Sequence, residues 1–257
     1  MEYLVLWEVS KKQRYIFASN KLVENKGASY IIEYITEELP GEGYRGNLIY
    51  GGGGGSLYRF PDEAAAREFV GEISKEVLVN YPGIEVFMVT QPYDAQKPIN
   101  QTIQEVYQKL GKKKGQRKHS GYQISFGIER RCEATGFPAS FIVKDDKDKK
   151  YVSCELHTKQ ANSKNSTGKL KRLVPDERLL KQFEELKDEE KNYMALVNID
   201  GNRMGKMFND LLSYFDFSQG NIEEKNEEYI RAVKKLSDNV KIAYENAFIH
   251  MNVPLDS

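Results

Sequence analysis

Between Tyr3 and Val89 the hydrophobic pattern switches between strand-like and helix-like periods, and this order of elements limits the chain's fold more than any other feature. Tyr3-Leu4-Val5-Leu6-Trp7-Glu8-Val9 is an apolar, β-favouring run that reads as a buried strand. After a polar, aromatic stretch from Lys11 to Phe17, a helix is expected from about Asn20 to Leu39. Leu22, Ile31, Ile32 and Ile35 form a partial stripe on it; Gly27 interrupts it and Pro40-Gly41 stops it. Asn47-Leu48-Ile49-Tyr50 and Ser56-Leu57-Tyr58-Arg59-Phe60 read as two short strands flanking Gly51 to Gly55. Pro61 and Asp62 open a helix through about Asn80, with Ala65, Phe69, Ile73 and Val77 recurring every fourth residue. Ile84 to Val89 is a last strand. The order strand, helix, strand, strand, helix, strand predicts an α+β, ferredoxin-like (βαββαβ) unit over residues 1–95, an antiparallel sheet with both helices on one face.

The character changes after residue 95. A helix-like segment carrying Ile99, Ile103, Val106, Tyr107 and Leu110 runs into Lys109 to Lys118, where six of ten residues are basic. Weak periodicity from about His119 to Val174, both cysteines and the run Lys144 to Lys150 suggest an insert, followed by a charged helix from Pro175 to about Glu190. Residues 96–190 therefore read as a basic linker and a Cys/His insert with a helix. A second unit, residues 191–257, begins with the strand Tyr193 to Ile199 and continues through a helix from Asn202 to Leu212. A long helix from about Glu223 to Phe248 follows, with Tyr229, Val233, Leu236, Val240 and Tyr244 as its buried stripe. It resembles the first half of another βαββαβ unit, cut before its hairpin.

Composition narrows the function classes. The 257 residues are 40% hydrophobic, enough for a core, and no apolar run approaches the ~20 residues of a membrane-spanning helix. With 38 basic and 38 acidic side chains, the net charge of +0 argues against bulk attraction to nucleic acid, leaving only local patches. Two cysteines make no disulfide framework and point to a reducing, cytoplasmic compartment.

Three constellations could carry chemistry. In Ile199-Asp200-Gly201-Asn202-Arg203-Met204-Gly205, a carboxylate at the end of a strand precedes a glycine turn into a helix N-terminus. Such a turn can hold a hard cation and present N–H groups to a phosphate; it can equally be an Asp-Gly turn with Asp200 as helix cap. Gly51, Gly52, Gly53, Gly54 and Gly55 would let a backbone or flat ligand approach closely, or form a flexible hairpin tip. Cys132, Cys154 and His157 have zinc-like chemistry and are one ligand short of a closed site, Thr135 occupying the remaining motif position. His119 is the other histidine of this segment. The basic run from Lys109, with Arg130 and Arg131, could meet phosphates or be a solvated linker.

Taken together, Ile16 to Ser29 with its Asn-Lys-Leu and Gly-Ala-Ser segments, the glycine-rich hairpin at Tyr50, and Ala195-Leu-Val-Asn-Ile-Asp-Gly-Asn-Arg-Met-Gly205 resemble the large polymerase/cyclase subunit of type III CRISPR–Cas effector complexes. The resemblance implies two palm domains that bind ATP at their interface and, with target RNA bound, join it into cyclic oligoadenylates. It implies Asp200 as the catalytic carboxylate, with Asp200 and the Ile199 carbonyl on Mg2+ or Mn2+. Ser29, Gly51 to Gly55, Gly201 and Asn202 would border the nucleotide, and Cys132, Cys154 and His157 would belong to a zinc-binding linker. The implied partners are other effector subunits, guide and target RNA, and ATP, with no membrane.

Departures from that family shape the expectation. The Gly-Gly-Asp-Asp hairpin of the second palm and the HD nuclease domain do not occur in this sequence, and Thr135 stands where a cysteine is usual. The chain is therefore expected to be inactive by itself and to bind ATP with Mn2+ weakly. A non-catalytic palm scaffold for RNA or partner subunits, and a GGDEF-like or adenylyl-cyclase-like enzyme, are the competing expectations.

Overall fold

The computed structural model describes residues 1–116, 125–145, 148–174, 179 and 204–251. The strand expected at Tyr193 to Ile199, the helix expected from Pro175, and Ile199, Asp200, Gly201 and Asn202 lie outside the described residues, as does His119.

The core forms around β1 (Glu2–Ser10), whose run of apolar residues does not alternate with polar ones because both its faces are buried. Val5, Trp7 and Val9 point to one face, Leu4 and Leu6 to the other. A short helix, α1 (Lys12–Ile16), leads to α2 (Leu22–Glu33), which continues through a π-turn at Tyr34–Glu38. Strands β2 (Leu48–Gly52) and β3 (Gly55–Phe60) form the hairpin, and α3 (Glu63–Asn80) follows. Asp62 caps α3, its carboxylate accepting from the Ala65 N–H at 2.9 Å. Strand β4 (Glu85–Tyr93) runs four residues further than the pattern predicts, ending beyond Pro92.

The four strands pair in the order β2-β3-β1-β4, and every pairing is antiparallel. One face carries α2 and α3 through Ala28, Ile31, Ile35, Phe69, Ile73 and Val77. The opposite face is also covered, by α4 (Ile99–Gln116) and α7 (Ile222–Met251), which bury Ile99, Val106, Leu110, Tyr229 and Val233 against Leu4, Leu6, Leu57 and Val89. The sheet is thus the middle of three layers.

The second layer changes the reading of the basic run. Its first half is the end of α4, and its lysines reach back to the sheet. Lys109 Nζ donates to the Thr90 carbonyl at 2.6 Å and Lys113 Nζ to the Met88 carbonyl at 2.6 Å; Lys114 pairs with Glu8 at 2.8 Å. Apolar stems lie along the helix while the ammonium groups occupy the edge carbonyls of β4, an arrangement that charge counting reads as a solvated linker.

In the insert, β5 (Phe141–Asp145) pairs with β6 (Asp148–Val152), and α5 (Cys154–Leu173) docks along α2. Here Gly27 proves to be a crossing point, since a Cβ at that position would overlap the Lys159 carbonyl and lie 3.1 Å from the Ser163 nitrogen. The helix continues through Gly27 because α5 covers it closely. At the same interface Lys159 is fully buried, pairing with Glu155 at 2.5 Å and donating to the Tyr15 carbonyl at 2.5 Å. A last short helix, α6 (Met204–Leu211), precedes α7. On α7, Tyr229 and Val233 are buried as expected, whereas Leu236 and Val240 are half-buried and Tyr244 is exposed. The lower half of that stripe faces a cavity instead of a sheet. Among the described residues, no helix is long and apolar enough to cross a membrane.

Candidate functional site

The glycine run divides by role. Gly53 and Gly54 are the two loop residues of the β2–β3 hairpin, with φ of +61° and +81°, a left-handed conformation that side chains disfavour. The turn is held from below by the Val9 N–H, which donates to the Gly54 carbonyl at 2.8 Å, and by Lys12 Nζ, which donates to the Gly53 carbonyl. A Cβ on Gly54 would stand 2.7 Å from Lys12 Cδ. Gly55 pairs with Glu8 in the sheet. These two glycines serve the turn and the sheet.

Gly51, Gly52 and Gly53 line a cavity of about 810 Å3 enclosed by β2, α4, α6 and α7. Its walls are aromatic and aliphatic, with Tyr107 from α4, Phe208 from α6, and Tyr229, Val240 and Tyr244 from α7. The Phe208 ring lies 6.2 Å from the Tyr50 ring, and the Tyr50 and Tyr107 hydroxyls are in contact. Burial, reinforced by Tyr107, raises the Tyr50 pKa well above the usual tyrosine range. Ser237 Oγ donates to the Gly51 carbonyl at 3.1 Å and ties α7 to the hairpin.

The rim is polar. Glu33, just before the π-turn, and Glu37, within it, face Lys169 and Lys241; Lys241 Nζ meets Glu37 at 2.5 Å. Burial lowers the Lys241 pKa, but the hydrogen bond and charge of Glu37, with Glu33 and Glu245, outweigh it and leave the ammonium held above its usual value. Asn100, in the first turn of α4, also lines the cavity, and its Oδ1 is buried without a hydrogen-bond partner among the described residues.

The expected site residues are distributed unevenly around this cavity. Ser29 is exposed on α2 and does not line it, although Glu33, one turn further, does. Asp200, Ile199, Gly201 and Asn202 lie outside the described residues, but α6 starts two residues after Asn202 and supplies Phe208 to the wall, with Leu212 just after it. Sequence reading missed Tyr107, Phe208, Ser237 and Lys241 because each reads as ordinary core or solvated helix. Tyr244 was read as part of a buried stripe on α7 and instead lines the cavity.

Among the described residues no group of three His, Cys, Asp or Glu side chains is placed to hold a metal ion. Cys132 is buried against Val152 and Leu156. Burial raises its thiol pKa, but hydrogen bonds from Thr135 and nearby backbone groups outweigh this and lower it. Thr135 Oγ1 donates to Ser153 Oγ at 2.9 Å, and Ser153 in turn caps α5 by accepting from the Leu156 N–H. Cys154 is half-buried at the start of α5, and the His157 ring stacks on Phe141 at 4.0 Å. Cys132, Cys154 and His157 thus have different neighbours among the described residues, and Thr135 has a structural task of its own.

No family model and no curated protein matches the chain. Among solved structures it is similar to a crystal structure of an apo Csm1-Csm4 cassette, with a TM-score of 0.36 and 16% identity. It is also similar to a crystal structure of the Csm1-Csm4 cassette in complex with cA4, with a TM-score of 0.37 and 16% identity. Each match covers 45% of this chain and 19% of the other. Likeness of that size carries neither a fold nor a function to this chain.

Proposed function

We propose that the cavity beside the glycine hairpin is a nucleotide site, and that the chain is the palm-containing part of a large subunit of the type III CRISPR effector kind. One observation carries the reading. Of the three sequence segments that resemble that family, the glycine hairpin lines the cavity through Gly51–Gly53, and the helix that starts at the end of the Ala195–Gly205 segment adds Phe208 to the same wall, although about 150 residues separate them. A strand order of β2-β3-β1-β4 supports it, being the order of a ferredoxin-like palm.

In this reading, ATP places its base among Tyr107, Phe208 and Tyr244, where apolar walls exclude water, and its phosphates along the hairpin, where the absence of side chains permits close approach. The described carboxylates at the rim are neutralised by Lys169 and Lys241 and gather no cation of their own. Mg2+ or Mn2+ would fall to Asp200 and the Ile199 carbonyl; such an ion polarises a phosphate oxygen. Asp200 is a single carboxylate, so the chain alone binds ATP weakly and does not form cyclic oligoadenylates. Other effector subunits and guide and target RNA are the partners this assignment entails.

Titration of the chain with ATP and Mn2+ tests the assignment. Expected is saturable binding weaker than ~100 µM, lost in Val240→Trp, which fills the cavity from α7, while the fold is kept. Binding unaffected by Val240→Trp, or no saturable binding, contradicts the nucleotide site and leaves the chain a scaffold. Tight Mn2+-dependent binding contradicts the incomplete metal site instead.

A further inference from the structure

A second cavity, about 590 Å3, opens between α2, α5 and the β5–β6 hairpin and shares no lining residue with the first. Glu24 of α2 reaches into it and is only 2% exposed. Its Oε1 accepts from Gln160 Nε2 at 2.9 Å, but Oε2 is buried with no hydrogen-bond partner among the described residues. An unsatisfied buried carboxylate oxygen is costly, and an N–H group entering the cavity would relieve it.

The rim has the opposite charge. Lys21, Arg130, Arg131, Lys149 and Lys150 line the cavity and outnumber its one rim carboxylate, Glu133, and Lys144 stands directly across the hairpin from Lys149. Like charges at a direct cross-strand position are unfavourable unless an anion lies between or beside them. Arg130 lies 4.5 Å over the Tyr151 ring, a flat cation–aromatic stack at the same rim.

We infer that this cavity binds a nucleoside phosphate, base edge inward and phosphate outward. Glu24 Oε2 accepts from an exocyclic amino group, the Arg130–Tyr151 stack offers its flat surface to the base, and Arg131 and Lys149 take the phosphate. The volume suits a ligand of this size. Cytosine presents an amino group to the carboxylate; uracil presents one N–H flanked by two carbonyl oxygens, which the carboxylate repels. The nucleoside phosphate is either a free nucleotide or one unit of a single-stranded nucleic acid.

The test uses the full chain with CMP, UMP, and labelled oligo(C) and oligo(U) of about twelve nucleotides, titrated at several salt concentrations. Expected is cytosine over uracil by about tenfold. R131A/K149A should weaken every probe by about tenfold or more and lower the salt slope by about 2. Glu24→Gln should erase the cytosine preference and leave the slope unchanged. An oligonucleotide that binds much more tightly than its mononucleotide, with the same sensitivity to R131A/K149A, assigns the strand as ligand; equal affinity assigns the free nucleotide. If neither CMP nor the oligonucleotides saturate at low salt, or if R131A/K149A binds as well as the parent, the inference is overturned. Both rim residues are exposed, so this result does not depend on how Glu24→Gln folds. Val240→Trp should leave this binding unchanged and R131A/K149A should leave ATP binding at the first cavity unchanged, which separates the two assignments.

Discussion

Asn226 of α7 holds the first turn of α4 at Ile99: its Oδ1 accepts from the Ile99 N–H at 2.9 Å, and its Nδ2 donates to the Ala95 and Lys97 carbonyls, each at 2.9 Å. The cap that a helix ordinarily receives from its own preceding residue comes here from a residue 127 positions later. That single carboxamide ties α7 to the start of α4.

Asn226→Ala should therefore destabilise the fold by about 2–4 kcal/mol, since one N–H and two carbonyls lose their partner at a site only 1% exposed. Asn226→Asp keeps the acceptor but sets a buried carboxylate oxygen against the Ala95 and Lys97 carbonyls, so at neutral pH it should cost at least as much as Ala. Urea denaturation with a constant m-value checks the order; an Asn226→Ala variant as stable as the parent would show that α4 and α7 are held otherwise.

The crossing of α2 and α5 makes a sharper distinction between glycines. Gly27→Ala forces a methyl group onto the Lys159 backbone and should cost about 1–3 kcal/mol. Gly71→Ala, on the exposed side of α3 with open space around it, should gain about 0.4–1 kcal/mol. Thermal unfolding of the two variants should shift in opposite directions. A shift in the same direction would argue that α5 does not sit where Gly27 requires it.

The Lys159–Glu155 pair predicts strong coupling. Its two side chains are 1% and 6% exposed. Glu155→Gln leaves a buried ammonium without its counter-charge and should cost about 3–5 kcal/mol, whereas Glu155→Leu with Lys159→Met removes both charges and should recover most of that loss. A double-mutant cycle that proves additive would contradict a direct pair.

Legibility in the sequence followed how local each interaction is. β1, the hairpin and α3 with its Asp62 cap rest on neighbouring residues, and their patterns were readable. The second layer was not, because α4 ends in lysines whose ammonium groups bind sheet carbonyls, and its cap, Asn226, lies in another helix. Gly27 reads as a helix breaker until the helix that crosses it is known. Of the candidate site, the glycine strand was legible as a place of close approach. The aromatic wall was not, since Tyr107, Phe208 and Tyr244 come from three helices and converge only in space. The surroundings of the Cys/His spacing were not legible either, since the His157 ring stacks on Phe141 and Cys132 joins the small core of the hairpin only once the insert has folded.

Alkaline pH offers a check on the second layer. The Tyr229 hydroxyl is pushed up to about 12 by burial, with Tyr107 adding to it. Tyr93 is likewise raised to about 12 by burial, against the lowering effect of Arg59 and with the support of Glu2 and Glu227. A folded-state value above the unfolded one, about 10, means that their contribution to stability is complete below pH ~10 and is lost as pH rises toward 12. Ultraviolet phenolate absorbance of the native protein should lag that of the denatured chain across this window, with stability falling in parallel. Tyrosines that titrate together near 10 in the native state would contradict their burial.

Photolabelling tests most directly whether the cavity between the glycine strand and α4, α6 and α7 takes the nucleotide. With 2-azido-ATP and Mn2+, peptide mapping should place ATP-protectable label on peptides that carry Tyr107, Phe208 or Tyr244, and Val240→Trp should abolish it. Protectable label confined to other peptides, or label that survives Val240→Trp unchanged, would contradict the account.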